Sequence, residues 1–508
     1  MEHERQRYQM GYLAALLAIL LGATASAQLH DMRWLGGYLA GPAPEWGGNK
    51  TIFYVDAPAA SVVEDLALDI QTTIGVFTDE SDSILAYTNG WSVANREYQI
   101  MPSGSGLNPS DYFSSDEGFL APSSHIFLPW PSKPDSIALI HMVVDSVSGV
   151  GTYISRRLYL TIADRNLDNG LGDLVLKNHE LLHAPLICGG LSAVRHANGR
   201  DWWVFTHSYL NNEFISFLLT PSGFIGPYYQ SIGSVRSGPS PGVNFNMEGD
   251  RLASSATGSE GTGLDVFDFD RCTGVLSNWQ HADLTRPLRI GGSAFSGNGD
   301  FIYVAHVDTL YQFSIVGGIL GGPITVAYYD GFFDTYPAFA TYFRDMSLAP
   351  DGCIYITTGN STRYMHVIRH PDEGGLSSNV MQHAHVFPTW TFNSIPHRPN
   401  YVLGPADGTV CDSLGLNAGL VERAATAKVR VQPNPNSGSF SIAYPGQSQA
   451  GELEILDAAG RVVYRHRLSA WSTVHAVELP QVAPGLYHCK LTFGARTMGA
   501  RVLITEMP

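Results

Sequence analysis

Between residues 30 and 420 the chain runs in short stretches that alternate apolar and polar side chains or gather β-branched ones, each stopped by Gly, Asn, Asp or Pro. Residues 84–87 (Ile-Leu-Ala-Tyr), 137–144, 202–206 and 301–305 are examples, and their period of two and their length predict strands. Helical periodicity is scarce, with residues 61–69 the best candidate for a short helix. The body of the chain is therefore predicted to be mainly β.

A repeat sharpens this reading. The segments HANGRDWWV (196–204), FNMEGDRLA (245–253), FSGNGDFIYV (295–304) and LAPDGCIYI (348–356) superpose on Gly199, Gly249, Gly299 and Gly352, which lie 50, 50 and 53 residues apart. Each is followed by a second strand that ends near another glycine: Gly223, Gly274, Gly317 and Gly374. Glycine suits such turns because it accepts positive φ without a Cβ clash. A period near 50 residues with several strands per unit predicts a β-propeller, whose small sheets cannot bury both faces until neighbours stack beside them. Weaker echoes at Ser83 and Ser136, with roughly 390 residues to divide, suggest about seven blades, six and eight remaining open. A long β-sandwich or a solenoid would fit the same strands without radial closure.

The pattern changes after Leu416. Residues 417–427 are small, polar and weakly patterned, as a linker is, and residues 428–508 then alternate in strands separated by Pro-Asn, Asp-Ala-Ala-Gly and Pro-Gly turns, predicting a small Ig-like β-sandwich. Charge marks the same boundary. Of the 508 residues, 30 are Lys or Arg and 46 Asp or Glu, a net charge of -16. From Lys428 onward, eight Lys and Arg face five Asp and Glu, a net +3. An acidic body repels phosphate backbones, which argues against nucleic acid as a partner. At the other end, Arg5 and Arg7, the apolar run 13–21 and Ala25-Ser26-Ala27 have the order of a cleaved signal peptide, placing the mature start at Gln28. No later stretch is long and apolar enough to span a bilayer as a helix. Cys188, Cys272, Cys353, Cys411 and Cys489 are widely spaced, so a thiolate cluster is not supported; most read as small buried apolar side chains, and at most two disulfides can form.

The terminal residues carry a resemblance. "PNPNSGSF" (433–440), "LEILDAAGRVV" (453–463) and "PGLYHCKL" (484–491), before a final basic strand, resemble the type A C-terminal sorting domain of the type IX secretion system of Bacteroidota. The resemblance implies delivery across the outer membrane by the type IX machinery, then removal of the domain, with the cargo released or held at the surface. Arg501 stands where that family commonly has Lys, with charge kept. The body resembles secreted propeller proteins that travel with such domains, through phrases including "AVRHANGRDWWVFTH" (193–207), "DVFDFDRCTGVLSN" (265–278) and "RPNYVLGPADGTVCDSLGL" (398–416).

Candidate chemistry is sparse. His179-Glu180-Leu181-Leu182-His183 is a literal H-E-x-x-H, which on a helix would hold zinc. Pro185 and Gly189-Gly190 follow closely, residues 174–176 read as strand, and on a strand the two histidines would stand about 13 Å apart. Gly189 also occupies the place of a third histidine ligand, Leu186 the place of the motif's glycine, and Glu213 is the one nearby carboxylate downstream. Asp164, Asn166 and Asp168 alternate as in a calcium loop, but the glycine comes one place late and Val175 stands where Glu is needed, so a self-bonded turn is the simpler reading. His196, Arg200, Asp201, Trp202, Trp203 and His207 form a polar-aromatic segment, read as Trp packing between blades with Asp201 and His196 bonding turn amides; Trp91, Asn95, Arg96 and Gly104-Ser105-Gly106 are read likewise. No nucleophile elbow, P-loop or dinucleotide fingerprint occurs, so no catalytic, cofactor or metal residue is assigned. The expectation is an all-β protein of four parts: signal peptide 1–27, propeller 28–416, linker 417–427 and sorting domain 428–508. It is expected to be secreted or held at the outer-membrane surface as a binding scaffold for an unknown extracellular ligand. The alternative is a secreted hydrolase of polysaccharide or peptide, with its site in the propeller channel.

Overall fold

The computed structural model describes residues 32–37, 50–54, 60–64, 66–70, 72, 74–79, 82–110, 121–146, 153–238, 242–258, 261–284, 291–335, 339–412, 429–479 and 482–505. The signal segment 1–27 and the linker 417–427 lie outside them.

Residues 33–391 form seven antiparallel sheets, each a meander in chain order. Blade 1 holds Arg33–Gly36, Lys50–Tyr54 and Ala60–Glu64; blade 2 holds Gly75–Thr78, Ile84–Thr88, Ser92–Asn95 and Ile100–Ser105. Blade 3 holds His125–Pro129, Ser136–Met142, Tyr153–Asp164 and Asp173–Ile187, with Asp145–Ser146 at its edge. Blade 4 is Ser192–Arg195, Trp202–His207, Asn211–Thr220 and Gly223–Arg236; blade 5 is Gly242–Phe245, Arg251–Gly258, Gly261–Asp270 and Val275–Asp283. Blade 6 is Ser293–Phe295, Phe301–His306, Thr309–Val316 and Ile324–Tyr328, with Ile319–Leu320 added; blade 7 is Met346–Leu348, Ile354–Ile356, Thr362–Ile368 and Val380–Thr391. The expected seven blades are present. Residues 61–64 are a correction: they lie in the third strand of blade 1, not in a helix. The spacing of Val62, Val63 and Leu66 fits either period over so short a run, and pairing with Lys50–Tyr54 decides it.

The apolar residues are shared between blades rather than kept within them. Leu35 of blade 1 clusters with Ile84 and Tyr87 of blade 2; Phe77, Phe127 and Trp202 join blades 2, 3 and 4; and Phe205 packs with Phe269 of blade 5. Val266 meets Phe313 of blade 6, and Tyr303 and Leu310 meet Ile354 of blade 7. The ring closes where Phe53 of blade 1 enters blade 7, its ring 5.3 Å from Tyr355, 5.5 Å from Phe387 and 4.4 Å from His385. Gly199, Gly249, Gly299 and Gly352 turn the chain from first to second strand with φ of 71°, 72°, 71° and 81°. A side-chain oxygen caps each of these turns: Asn198, Asn246, Asn298 and Asp351 accept backbone N–H bonds of 2.9–3.1 Å.

Residues 430–504 form a sandwich of two sheets. One pairs Arg430–Gln432, Ser439–Ala443 and Val474–Glu478; the other pairs Val462–Leu468, Gly451–Leu456, Gly485–Phe493 and Arg496–Ile504. Its core, with Phe440, Leu453, Ile455, Tyr487, Leu491 and Val502, is its own.

Phe53→Ala is expected to cost about 3–5 kcal/mol, because it empties the closing seam between the first and last blades. A urea melt monitored by tryptophan fluorescence measures it; a loss under 1 kcal/mol would mean that the seam does not close the ring.

Candidate functional site

The first strand of each blade faces the axis, where neighbouring first strands converge. Small or polar residues, Ser192, Gly242, Asn244, Ser293 and Ser347, alternate there with larger apolar ones such as Phe245, Phe295 and Met346. A Cβ on Gly242 would lie 2.4 Å from Ser255 Oγ and 2.6 Å from Ser293 Oγ, so this glycine is required by close approach and not by φ. The cavity that remains, about 140 Å³, has Asp345 as the one carboxylate among the described residues of its wall. Burial pushes the Asp345 carboxyl up to about 6, opposed by Arg344 and by the amide of Asn393, which donates to it. The histidines on the wall are held neutral by burial: His125 falls to about 3 and His397 to about 4.

The chain itself laces this axis after blade 7. Asn393 donates to Asp345 and accepts from Thr357 Oγ1, and His397 Nε2 donates to the Leu191 carbonyl. Arg398 donates to Leu348 O at 3.1 Å with its guanidinium 5.3 Å from the ring of Trp34 in blade 1. Asn400 donates to Met247 O at 2.9 Å, and Tyr401 Oη donates to Phe127 O at 2.7 Å while its carbonyl accepts from Arg195 at 2.8 Å. Arg271 donates to Gly404 O, and Ala406 N donates to Ala197 O at 2.9 Å. With the ring of Tyr401 also 5.7 Å from Phe77 of blade 2, residues 393–406 touch blades 1, 2, 3, 4, 5 and 7, and a disulfide between Cys272, in a turn of blade 5, and Cys411 fixes their far end. Cys188, Cys353 and Cys489 are free and buried, as read from their isolation in the sequence.

The motifs singled out from the sequence fall elsewhere. His179, Glu180 and His183 lie on the exposed last strand of blade 3, opposite Leu160, Tyr159 and Arg157; Glu180 pairs with Arg157 at 3.2 Å and lies 3.6 Å from His183. The strand reading of H-E-x-x-H holds, and Glu213, bonded to Ser208, is not with them. Asp164 accepts from Asn166 N at 2.9 Å, and Asp168, Asn169 and Gly170 turn at positive φ, so this loop bonds itself as a turn. Among the described residues no group of three or more His, Cys, Asp or Glu is placed to hold a metal ion. Trp202 and Trp203 pack between blades as expected, with Trp203 Nε1 donating to Arg271 O at 2.9 Å. The turn amides there are taken by Asn198 and His196, whereas Asp201 accepts from Asn198 and Arg200, a shorter-range pairing than the one expected. His207 is buried and neutral, lowered to about 4 by burial. Asn95 caps its own turn, Arg96 is exposed, Gly104 sits 2.3 Å (as a built Cβ) from Val93 O, and Trp91 packs on Val144 and Cys188.

Two polar networks went unread in the sequence because their members are far apart in it. In blade 3, Ser124, His125, Asn108, His141 and Thr161 form one buried chain with contacts of 2.6, 2.9, 2.6 and 2.8 Å. Asn108 Nδ2 donates to His125 Nε2, so His125 Nδ1–H points to Ser124; Asn108 Oδ1 accepts from His141 Nδ1–H, leaving His141 Nε2 to accept from Thr161. Between blades 4 and 5, Asp265 pairs with Arg236 and accepts from Ser234 Oγ at 3.0 Å, Trp279 Nε1 at 3.0 Å and His281 Nδ1 at 2.6 Å. Burial opposes ionisation of Asp265, but these partners outweigh it and hold its carboxyl below the usual range. Ser, His and Asp meet here without forming a nucleophilic triad. Ser234 and Asp265 share the same imidazole nitrogen, and Nε2 is taken by Asp283 at 3.0 Å, so no base faces the hydroxyl.

Two outcomes follow for the laced axis. Asp345 ionises at an ordinary carboxylate value when unfolded and only near 6 when folded, so its contribution is full below the unfolded value and is lost as pH rises through 6. Asp345→Asn should remove that slope and raise stability near pH 8 by about 3 kcal/mol, read by urea melts at pH 5 and pH 8. Cys411→Ser should lower stability by up to about 5 kcal/mol, the loop-closure value of so long a cross-linked loop, in a non-reducing melt; equal stability would show the tether to be idle.

No curated protein matches the sequence. Among solved structures, the chain resembles a functionally unknown protein from Desulfotomaculum acetoxidans at 11% identity, with 72% of this chain and 100% of that one covered and a TM-score of 0.40. It also resembles a hypothetical selenium-binding protein from Sulfolobus tokodaii (8%, 72% and 91%, TM-score 0.42) and a periplasmic gluconolactonase from Pseudomonas aeruginosa (11%, 72% and 97%, TM-score 0.31). Likenesses this distant carry nothing about chemistry. The terminal sandwich is different: residues 430–505 match the family described as the secretion system C-terminal sorting domain. Behind its propeller, then, the chain carries a C-terminal sorting domain of the type IX secretion system, which marks it for secretion or cell-surface attachment.

Proposed function

We propose that this is an exported binding scaffold, a seven-bladed propeller that presents its loops outside the cell after delivery by the type IX machinery. The observation that carries the reading is the state of the axis. Hydrolysis in a propeller channel needs a pair of groups that face each other across open space, such as two carboxylates. Here, among the described residues, Asp345 is the single carboxylate on the wall, it is 5% exposed, and the Asn393 amide already bonds it while residues 393–406 cross the opening. Such an axis supports rigidity, which suits loops that must be held in place to bind.

Deleting residues 428–508 should leave the propeller folded and held in the periplasm, while the full chain reaches the surface; fractionation with surface biotinylation reads the difference. Normal surface arrival of the truncated chain would sink the delivery reading. Release of reducing ends or new amino termini from a polysaccharide and protein panel, abolished by Asp345→Asn, would replace the scaffold by the hydrolase.

A further inference from the structure

The sorting domain rests on the propeller at one particular place. The loop between its strands Val462–Leu468 and Val474–Glu478 lies across the first-to-second-strand turns of blades 5, 6 and 7. Trp471 Nε1 donates to Glu248 in the blade 5 turn at 3.2 Å, and the apolar neighbours of Trp471 are those of blades 4 and 5, with Val194, Val243 and Leu403 in the same cluster. Thr473 N donates to Pro350 O of the blade 7 turn at 2.8 Å. Arg467 meets Glu373 at 2.7 Å. Ala470 and Ser472 are buried, and Trp471 and Thr473 stand on the wall of the axial cavity.

Two glycines show that the propeller is shaped to this loop. A Cβ on Gly352 would lie 2.6 Å from Ser469 Cβ, and one on Gly297 would lie 2.5 Å from the Ala470 carbonyl. Gly352 is also needed for its φ of 81°. Gly297 has no positive φ, so its backbone would accept any side chain, and the contact that forbids one comes from the sorting domain. Burial raises the Glu248 carboxyl, and the bond from Trp471 opposes that rise, so the acid is placed for a donor that arrives with an apolar ring.

We propose that this turn face of blades 5–7 is a peptide-binding surface that the sorting domain occupies in cis, and that it takes a cationic, tryptophan-bearing peptide segment when the domain is displaced. The proposal deepens the scaffold reading and rests on it. Glu248 and the Pro350 carbonyl supply acceptors, Glu373 supplies charge for a cation, and the glycine floor admits a backbone at close range. A tethered occupant competes at an effective concentration near millimolar, which hides the surface from any free peptide of similar affinity.

The test uses the full chain and, as probe, a fluorescent synthetic peptide of residues 465–476, followed by anisotropy. Arg467→Ala with Trp471→Ala unseats the loop without touching the propeller, and neither residue belongs to the sandwich core. That variant should bind the peptide at least about tenfold more tightly than the unaltered chain. Adding Gly297→Val should abolish the gain, with thermal unfolding of the blades unchanged, and a peptide carrying Ala in place of tryptophan should not bind. Equal affinity in the unaltered and double-variant chains, no binding by the double variant, or a gain that survives Gly297→Val would each overturn the assignment. Those outcomes leave the scaffold reading standing, since the deletion and degradation assays judge it separately.

Discussion

A small antiparallel sheet with apolar side chains on both faces cannot bury them alone, and this chain solves the problem seven times by turning each blade's two faces toward its neighbours. The apolar clusters accordingly belong to seams. Phe205 and Phe269 come from different blades, as do Tyr303 and Ile354. Six of the seams join blades that are neighbours in chain order, and the seventh, where Phe53 enters the Tyr355, His385 and Phe387 pocket, joins the first blade to the last across more than 300 residues. Closing that seam fixes the ring, and the ring in turn fixes where every loop stands.

Closure creates a second demand at the axis. Inner strands brought together leave carbonyls and amides facing a narrow space, and buried groups of this kind must find partners. Residues 393–406 meet the demand with side chains of several lengths. Tyr401 and Arg398 reach to Phe127 and Leu348, while Asn400 and Asn393 bond nearer groups. The result is an axis whose inner strands are bonded to the chain that crosses it.

Much of this was legible in the sequence. The glycine period announced the blades because Gly199, Gly249, Gly299 and Gly352 each need a positive φ that few other residues tolerate, a local demand that leaves a local mark. The terminal sandwich was legible for the same reason, through its Pro-Asn and Asp-Ala-Ala-Gly turns. The strand reading of H-E-x-x-H, made on Pro185 and its neighbours, is the one the structure shows. What stayed hidden depends on contact between distant segments. Residues 398–416 look like any polar, Pro- and Gly-containing stretch, and nothing local says that they cross the axis or that Cys411 meets Cys272. Residues 61–69 misled because four or five residues of mixed period take whichever structure their neighbours offer. Asp201 misled because Asn198 Oδ1 takes the amides of Arg200 and Asp201, and the Asp201 carboxylate is held by the side chains of Asn198 and Arg200.

The bond between Cys272 and Cys411 also decides how the molecule bears load. Without the bridge, a pull on the chain just beyond Cys411 would draw out residues 393–410 and then strip the last strand of blade 7 from its sheet. With it, such a pull passes through sulfur into the turn between the third and fourth strands of blade 5, and residues 393–410 are spared it. The propeller can therefore be towed by its tail without being unzipped from that end.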